Sequence, residues 1–309
     1  MNTACIYLVT YAGLLACAGI VAYNVYHYLQ NPMHVRWELY PVAHERGDRA
    51  EYGGSYLEDA DWWKTKRKTS LVGGIKGVLV EFLFMHMTMT TNMSLWHRTY
   101  PFHLGLYCII GAFGLTFLAA LARLAGTEPG IILIALGNIV QVLTFAGFLS
   151  IVGGGISLLH RRLSQESLRR YSTREHFFNL GAFIVFGVTG LLAWLANPSF
   201  FAISRDFMAN LICFSFKPLS SNTFIVFVLL GSILIAYIPA THMGHFFMKY
   251  FLYHDIRWGD QPAQDDPAAA QKIGAVLGYQ VSWKAPHING DGKKTWADVA
   301  TSNPTAPKE

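Results

Sequence analysis

Five apolar runs in this chain are each long enough to cross a lipid bilayer. About 20 apolar residues make a helix that spans the hydrocarbon core, where only helices or closed barrels satisfy their backbone hydrogen bonds. The composition agrees, because 52% of the residues are hydrophobic and only 14% are charged. We therefore expect an all-α fold, an integral membrane five-helix bundle. The runs lie at about residues 6–28, 102–124, 130–159, 177–196 and 223–251.

The polar segments between these runs divide the chain into four parts. We expect residues 1–29 to form the first transmembrane helix and residues 101–252 to form a four-helix membrane core. Residues 30–100 are expected to be a cytoplasmic loop, in which residues 71–96 predict an amphipathic, interfacial helix. Residues 253–309 form a hydrophilic cytoplasmic tail, expected to be extended or disordered until a partner orders it. The first run lacks the basic start of a signal peptide, which predicts a retained helix.

The distribution of basic residues predicts the orientation in the membrane. Of the 24 Lys and Arg residues, only Arg123, Arg205 and Lys217 fall on one side of the predicted spans. Cytoplasmic segments of membrane proteins carry the excess of positive charge. The N-terminus is therefore expected outside and the C-terminus in the cytoplasm, in a multi-pass protein of the cell's inner membrane. The net charge of +5 then reflects topology and lipid contact, and no nucleic-acid partner is expected.

The four cysteines argue against several kinds of metal site. Cys5, Cys17, Cys108 and Cys213 form no CxxC or CxxCH motif and no cluster. Iron–sulfur clusters, structural zinc sites and c-type haem rely on such motifs. No set of residues in the sequence indicates acid–base catalysis either, so we expect no catalytic residues and no enzyme activity of this chain alone.

The twelve histidines all fall in the parts of the chain predicted to lie in or near the cytoplasmic leaflet. A haem with two imidazole ligands needs two histidines at similar depth on different helices. At about 1.5 Å per residue, His103 lies roughly 32 Å from Leu124 and His245 roughly 33 Å from Thr223, so their depths agree. A single histidine at such a position is also typical of an interfacial residue. Depth leaves two alternatives open as ligands of a second haem, His242 and His176.

Three other features near the cytoplasmic side each allow more than one interpretation. Arg161 and Arg162 can extend to lipid headgroups or pair with haem propionates. The glycines of residues 153–155 can let a macrocycle approach the backbone, or can serve close helix packing. Pro239 predicts a local bend shortly before His242.

Amide side chains within the spans are candidates for binding a quinone. Asn138 and Gln141 share a helix face, and Asn179 lies in the fourth run. An uncharged amide in hydrocarbon needs a hydrogen-bond partner, which is either another helix or a quinone carbonyl. Both interpretations stay open for Asn138 and Gln141, and Asn179 is a further quinone candidate.

Short motifs resemble those of a known family. Phe102-His103-Leu104-Gly105 opens the second run, Pro239 precedes His245 at the end of the fifth, and Gly153-Gly154 leads to residues 158–163. With five spans and an outside N-terminus, these motifs resemble the gamma subunit of respiratory nitrate reductase over approximately residues 95–252. Residues 253–258 are more similar to the cytochrome b subunits of heterodisulfide reductase-like respiratory complexes.

The resemblance implies a membrane cytochrome b whose four-helix core binds haem b. His103 and His245 match the pair that holds the inner haem of the family. The outer pair does not carry over, because its positions are Phe113 and Phe227 in this chain. One haem b is therefore expected, with a second as the open alternative. The resemblance further implies electron transfer between the menaquinone or quinone pool and a cytoplasmic iron–sulfur subunit in anaerobic respiration.

Two polar segments are candidates for binding partners. The aromatic tail is expected to dock on the soluble iron–sulfur subunit, and an outer-face cytochrome c subunit is a further candidate partner. Trp62-Trp63-Lys64 and the basic residues after it predict either a partner contact or an anchor on the lipid surface. The alternative function is a haem-free membrane anchor that tethers a soluble oxidoreductase.

Overall fold

The computed structural model describes residues 3–30, 60–61, 64, 70–126, 130–245, 247, 267–285 and 288–302. Among these residues, five helices are long and apolar enough to cross a membrane, which confirms the predicted five-helix fold. The chain forms two units, Met1–Val21 with Val80–Gly244, and Ala22–Leu79 with His245–Glu309. The elements are α1 Thr3–Gln30, α2 Leu71–Phe84, α3 His86–Thr91, α4 Met93–Leu124, α5 Ile131–Ser164, α6 Glu166–Tyr171, α7 Arg174–Ala196, α8 Phe200–Ile212, α9 Asn222–Tyr237, α10 Pro267–Leu277, β1 Lys284–Ala285, β2 Ile288–Asn289 and α11 Trp296–Thr301.

The first unit is a bundle of antiparallel neighbours. Helix α4 packs on α5, α5 on α7, and α7 on α9. Near the start of α7, the Asn179 amide contacts Tyr237 at the end of α9, whereas Asn197 after α7 contacts Thr223 at the start of α9. The short helices α6 and α8 follow opposite ends of the spans. We call these two ends of the bundle the α6 end and the α8 end.

Glycines allow the backbones of α4 and α5 to touch. A Cβ atom on Gly154 would lie 2.5 Å from the backbone nitrogen of Phe102, and one on Gly105 would lie 2.7 Å from the carbonyl oxygen of Gly147. No larger residue fits at such distances without a backbone shift. Of the two interpretations of residues 153–155, helix packing therefore accounts for Gly154, while a Cβ on Gly153 meets nothing within 4 Å among the described residues.

Phenylalanine side chains fill the centre of the bundle. Phe148 is 1% exposed, and its ring makes edge-on contacts with Phe186 and Phe227 at centroid distances of 5.7 and 5.4 Å. Gly190 of α7 leaves the space that the Phe148 ring occupies, since a Cβ there would lie 2.4 Å from that ring. Edge-to-face geometry is the favoured arrangement of such rings, so this core is both apolar and specifically packed.

Helix α1 packs along α9 in a parallel direction. A Cβ on Gly13 would lie 2.4 Å from the carbonyl oxygen of Ser232, and the Ser232 hydroxyl donates to Thr10 Oγ1 at 3.1 Å. Nearer the N-terminus, the Tyr7 hydroxyl donates to the carbonyl of Lys217 at 3.0 Å. These contacts fasten α1 to the bundle and to the loop that precedes α9.

Three helix boundaries differ from the sequence expectation. Helix α4 starts at Met93 rather than at residue 102, because the Asn92 side chain caps it by accepting from the Leu95 amide at 2.9 Å. The amphipathic stretch 71–96 is not one helix, since Met85 has a φ of 51° and separates α2 from α3. The α-helical part of α9 ends at Tyr237 rather than at residue 251, and the chain continues in 3-10 turns Ile238–Ala240 and His242–Gly244. The bend predicted at Pro239 is confirmed.

The described part of the tail, residues 267–285 and 288–302, has regular structure, which corrects the expectation of an extended or disordered segment there. Helix α10 is followed by the antiparallel pair β1–β2 and by α11. Val281 is 1% exposed and its amide donates to the Lys294 carbonyl at 2.9 Å. The Trp283 and Trp296 rings lie 6.0 Å apart, so the aromatic residues that suggested partner binding contact each other.

Candidate functional site

His103 lies on α4 toward the α6 end of the bundle. Its Nδ1 atom lies 2.8 Å from the carbonyl oxygen of Thr99, one turn earlier on the same helix. A carbonyl can only accept, so Nδ1 carries a proton in this contact, and in a neutral ring the lone pair is then on Nε2. Histidines that bind metals commonly donate their other ring nitrogen to a backbone carbonyl in this way. The local geometry of His103 therefore fits an axial ligand that binds iron through Nε2.

His245 directly follows the turn His242–Gly244, at an exposed position that belongs to the second unit. The depth of about 33 Å inferred for it assumed one continuous α-helix from Thr223. The observed helix stops at Tyr237, and Thr241 is extended, with φ of −120° and ψ of 175°. The depth match with His103 therefore no longer follows from counting residues, and the pairing of the two histidines stays a prediction.

His176 and His242 lie against each other in the first unit, with ring centroids 5.0 Å apart and planes inclined by 56°. Two imidazoles on opposite sides of one metal, each bound at about 2 Å, have ring centres roughly 6 Å or more apart. No porphyrin therefore fits between these rings as they lie. His176 also has a structural role, because its Nδ1 accepts from the Thr173 amide at 3.0 Å at the start of α7. That either histidine alone is a ligand of a second haem stays a prediction.

His242 belongs to a polar network that joins the start of α7 to the end of α9. Its Nδ1 lies 3.1 Å from Glu175 Oε1 and 3.5 Å from Asn179 Nδ2. The Tyr237 hydroxyl donates to Asn179 Oδ1 at 2.7 Å. When Nδ1 is protonated it donates to Glu175, and when it is not, it accepts from Asn179. The network can therefore hold the imidazole in either protonation state.

The network also separates buried groups from accessible groups. Asn179 is 2% exposed, whereas the side chains of His242 and Glu175 are 47% and 49% exposed. Both polar atoms of the Asn179 amide have protein neighbours, so Asn179 forms a contact between α7 and the end of α9.

Glu175 and Tyr237 were missed in the sequence, because neither forms a motif and each meets its partner across about 60 residues of chain.

The two arginines proposed for haem propionates lie near this network. Arg162 donates to the Ser172 hydroxyl at 2.9 Å. Arg161 precedes it in the last turn of α5 and is partly buried. Both cations lie at the α6 end with His176 and His242, and propionate binding stays a prediction.

The other two amides lie toward the opposite end. Gln141 Nε2 donates to the Pro198 carbonyl at 3.1 Å, which is a contact with the segment after α7. Its Oε1 atom is buried and has no hydrogen-bond partner among the described residues. Asn138 is exposed one turn earlier. Asn179 and Gln141 therefore lie at different ends, and they do not form a single quinone site.

The two positions that replace the outer histidine pair have different surroundings. Phe113 is 55% exposed on the outside of α4. Phe227 packs in the aromatic core against Phe186, with centroids 5.4 Å apart. Phenyl rings thus occupy both positions, one outside the core and one within it.

Among the described residues, no three side chains of the types His, Cys, Asp and Glu converge on one point in a way that would hold a metal ion. Haem needs only one or two protein ligands, and its binding to this chain stays a prediction. Comparison with protein-family models, with curated proteins and with solved structures gives no match.

Proposed function

We propose that the chain is the membrane cytochrome b subunit of an anaerobic respiratory complex of the inner membrane. It would carry electrons between the quinone or menaquinone pool and a cytoplasmic iron–sulfur subunit of the heterodisulfide reductase-like type. The observation that carries this proposal is the His103 imidazole, whose Nδ1 donates to the Thr99 carbonyl and leaves Nε2 with its lone pair. His245 is the proposed second ligand.

Haem b, when bound, would supply one-electron transfer. The chain would hold the iron through His103, while Arg161 and Arg162 would pair with the propionates. Six-coordinate iron between two imidazoles has no open position for oxygen, so electron transfer is the expected chemistry. A second haem between His176 and His242 is not part of the proposal, because those rings are in contact.

The quinone head group is proposed to bind at the α6 end, beside Glu175 and His242. Reduction of a quinone to a quinol takes two electrons and two protons, so the site needs groups that exchange protons with water. The side chains of Glu175 and His242 are both half-exposed and lie 3.1 Å apart. Asn179 would orient the imidazole. Gln141 is less suitable, because along α5 it lies about 20 Å from Gly154, which packs on Phe102 next to His103.

The haem proposal is tested by purifying the chain from haem-replete cells and measuring haem per chain and the reduced-minus-oxidised spectrum. The expected result is a low-spin b-type spectrum that is lost in His103→Ala and in His245→Ala. His160→Ala is the matched control, since His160 lies at the same end on α5, exposed, with a contact to Ser164 at 3.2 Å. Equal haem content in His103→Ala and the control would contradict the proposal.

One observation favours the alternative function, a haem-free membrane anchor for a soluble oxidoreductase. The tail has its own helices and hairpin, with Val281 buried, and such a preformed unit suits docking. The same preparation distinguishes the two functions. A haem-free chain that still retains a soluble partner through residues 267–302 would favour the anchor.

A further inference from the structure

A cavity of about 220 Å³ opens at the α8 end of the bundle, between the end of α4, helix α8 and the loop after α8. Its polar lining includes Arg123, Asp206, Asn210, Ser215 and Lys217. The volume suits a small polar group rather than a macrocycle. No part of the proposed electron-transfer function uses this cavity.

The charges around the cavity do not balance. Asp206 accepts from Arg123 and also from Arg205, whose Nη2 atom lies 2.9 Å from the same carboxylate oxygen. Arg205 is largely buried and already compensates the charge of Asp206. Among the described residues, Arg123 and Lys217 then leave an excess of two positive charges at the cavity. Such an excess attracts an anion.

These cations are also unusual in their location. Arg123, Arg205 and Lys217 are the three basic residues that the sequence assigns to the side opposite all the others. Basic residues are disfavoured on the translocated side of a membrane protein. All three nevertheless collect around Asp206 and its cavity. Scattered surface charges would not be expected to converge in this way.

Two exposed aromatic residues alternate with the lining residues Ser215 and Lys217 along the loop, and their rings pack against Tyr7 and Tyr11 of α1 rather than line the cavity. Phe214 is 74% exposed and Phe216 is 45% exposed. Aromatic side chains at the end of a span typically lie at the level of the lipid headgroups. The rings therefore indicate that the cavity opens at headgroup depth, where phosphate groups are concentrated.

The loop has a fixed position because α1 holds it. The Tyr7 hydroxyl donates to the Lys217 carbonyl at 3.0 Å, and the Tyr11 hydroxyl donates to the Leu211 carbonyl at 2.7 Å. The Tyr11 ring also stacks on Phe214 at 5.3 Å. The cationic and aromatic groups are thus presented by a preformed structure rather than by a free loop.

We propose that this cavity binds the phosphate group of an anionic phospholipid in the leaflet that meets the α8 end. Arg123 and Lys217 would contact the phosphate, and Phe214 and Phe216 would lie against the glycerol and the upper acyl chains. Guanidinium and ammonium groups are the usual partners of phosphate. The proposal is independent of haem binding.

The test measures lipid retention by native mass spectrometry of the full chain, after exchange into detergent with equal amounts of phosphatidylglycerol and phosphatidylcholine. The unmodified chain should retain phosphatidylglycerol preferentially. Each of Arg123→Gln and Lys217→Gln should lower that preference about fivefold, since one cation near a lipid surface contributes on the order of 1 kcal/mol. Asp206→Asn should raise it, because the substitution removes the negative charge that Arg123 and Arg205 share.

Arg169→Gln is the control variant, since Arg169 is an exposed arginine on α6 at the other end. It should leave the preference unchanged. No preference in the unmodified chain, or an equal loss in Arg169→Gln and Lys217→Gln, would overturn the proposal.

A second measurement remains informative if Arg123→Gln fails to fold. Cys213 is exposed and lines the cavity, and Cys5 is an exposed reference on α1. In nanodiscs, phosphatidylglycerol should slow the reaction of Cys213 with a neutral maleimide more than that of Cys5, and Lys217→Gln should remove the difference. Equal slowing of both cysteines would overturn the proposal. If inorganic phosphate, in detergent without lipid, protected Cys213 as strongly as phosphatidylglycerol does, the assignment to lipid would be overturned.

Discussion

The two ends of the bundle solve the problem of polar groups at a membrane surface in different ways. At the α8 end, the guanidinium groups of Arg123 and Arg205 share the carboxylate of Asp206. At the α6 end, the imidazole of His242 lies between the Glu175 carboxylate and the Asn179 amide. The first arrangement has an excess of cations, as the proposed anion site requires, and the second places a carboxylate beside an imidazole, as the proposed quinone site requires.

Helix packing also differs between the two ends. Toward the α6 end, Gly154 brings the backbone of α5 against the backbone at Phe102. Toward the α8 end, Gly137 of the same helix makes room for the ring of Phe201 from α8. A side chain on Gly154 would therefore meet backbone atoms, whereas one on Gly137 would meet a ring that can turn aside.

The largest expected effect breaks the backbone contact at the α6 end. Gly154→Ala should lower the free energy of unfolding by about 1–3 kcal/mol, because its Cβ would lie 2.5 Å from the Phe102 nitrogen. Gly137→Ala should cost less, because the Phe201 ring can move. Steric trapping or thermal unfolding in detergent measures both.

Gly153→Ala is the matched control for the neighbouring position, since its Cβ meets nothing within 4 Å among the described residues. It should leave stability unchanged or slightly raised, because alanine favours a helix more than glycine does. An equal loss of stability in Gly153→Ala and Gly154→Ala would contradict the packing account.

A second pair of substitutions compares tyrosine hydroxyls at the two ends. Tyr237→Phe should cost about 1–3 kcal/mol, because it leaves the buried Asn179 oxygen without its donor. Tyr7→Phe should cost only about 0.5–1.5 kcal/mol, because the Lys217 residue it contacts is exposed and water can replace the hydroxyl. Unfolding measurements that give the reverse order would show that the α6-end network is less important than its burial indicates.

The smallest expected effect concerns carboxylates held by backbone amides rather than by arginines. Hydrogen bonds from the Lys294 and Lys293 amides lower the pKa of Asp291, and those from the Thr295 amide and hydroxyl lower the pKa of Asp298. A lowered pKa in the folded state stabilises the fold above the unfolded pKa of about 4, and this contribution is lost as the pH falls through the folded values. The cap of α11 should therefore weaken below about pH 4.

Amide chemical shifts of Lys294 and Thr295, followed from pH 7 to pH 2.5 by NMR in micelles, measure this weakening. Asp298→Asn should remove the shift change at Thr295 and leave that at Lys294. A change at Thr295 that persists in Asp298→Asn would assign the transition to another group.

Hydropathy was sufficient to predict the membrane fold, because the spans are defined by length and apolar composition. The ends of the spans were less predictable, since they depend on local groups such as the Asn92 cap of α4 and the 3-10 turns around Pro239. Helix α8 was missed because its apolar run is short and contains Arg205 and Asp206. The order in the tail was missed because its few apolar residues contact one another.

The candidate sites were partly predictable. Counting residues along helices brought His176, His242 and Asn179 to one end, where the structure has them. Counting could not reveal that the two imidazoles touch, because that depends on helix rotation. The cation cluster around Asp206 was visible only as three exceptions to the charge rule, since Arg123 and Asp206 are far apart in the sequence.

The most direct test of the central claim replaces the proposed nitrogen ligand of the iron by a sulfur ligand. Spectroelectrochemistry of the haem-loaded chain should give a higher reduction potential and an altered spectrum for His103→Met, because a thioether ligand raises the potential relative to an imidazole. His160→Met should match the unmodified chain. A spectrum and potential of His103→Met identical to those of the unmodified chain would contradict ligation by His103.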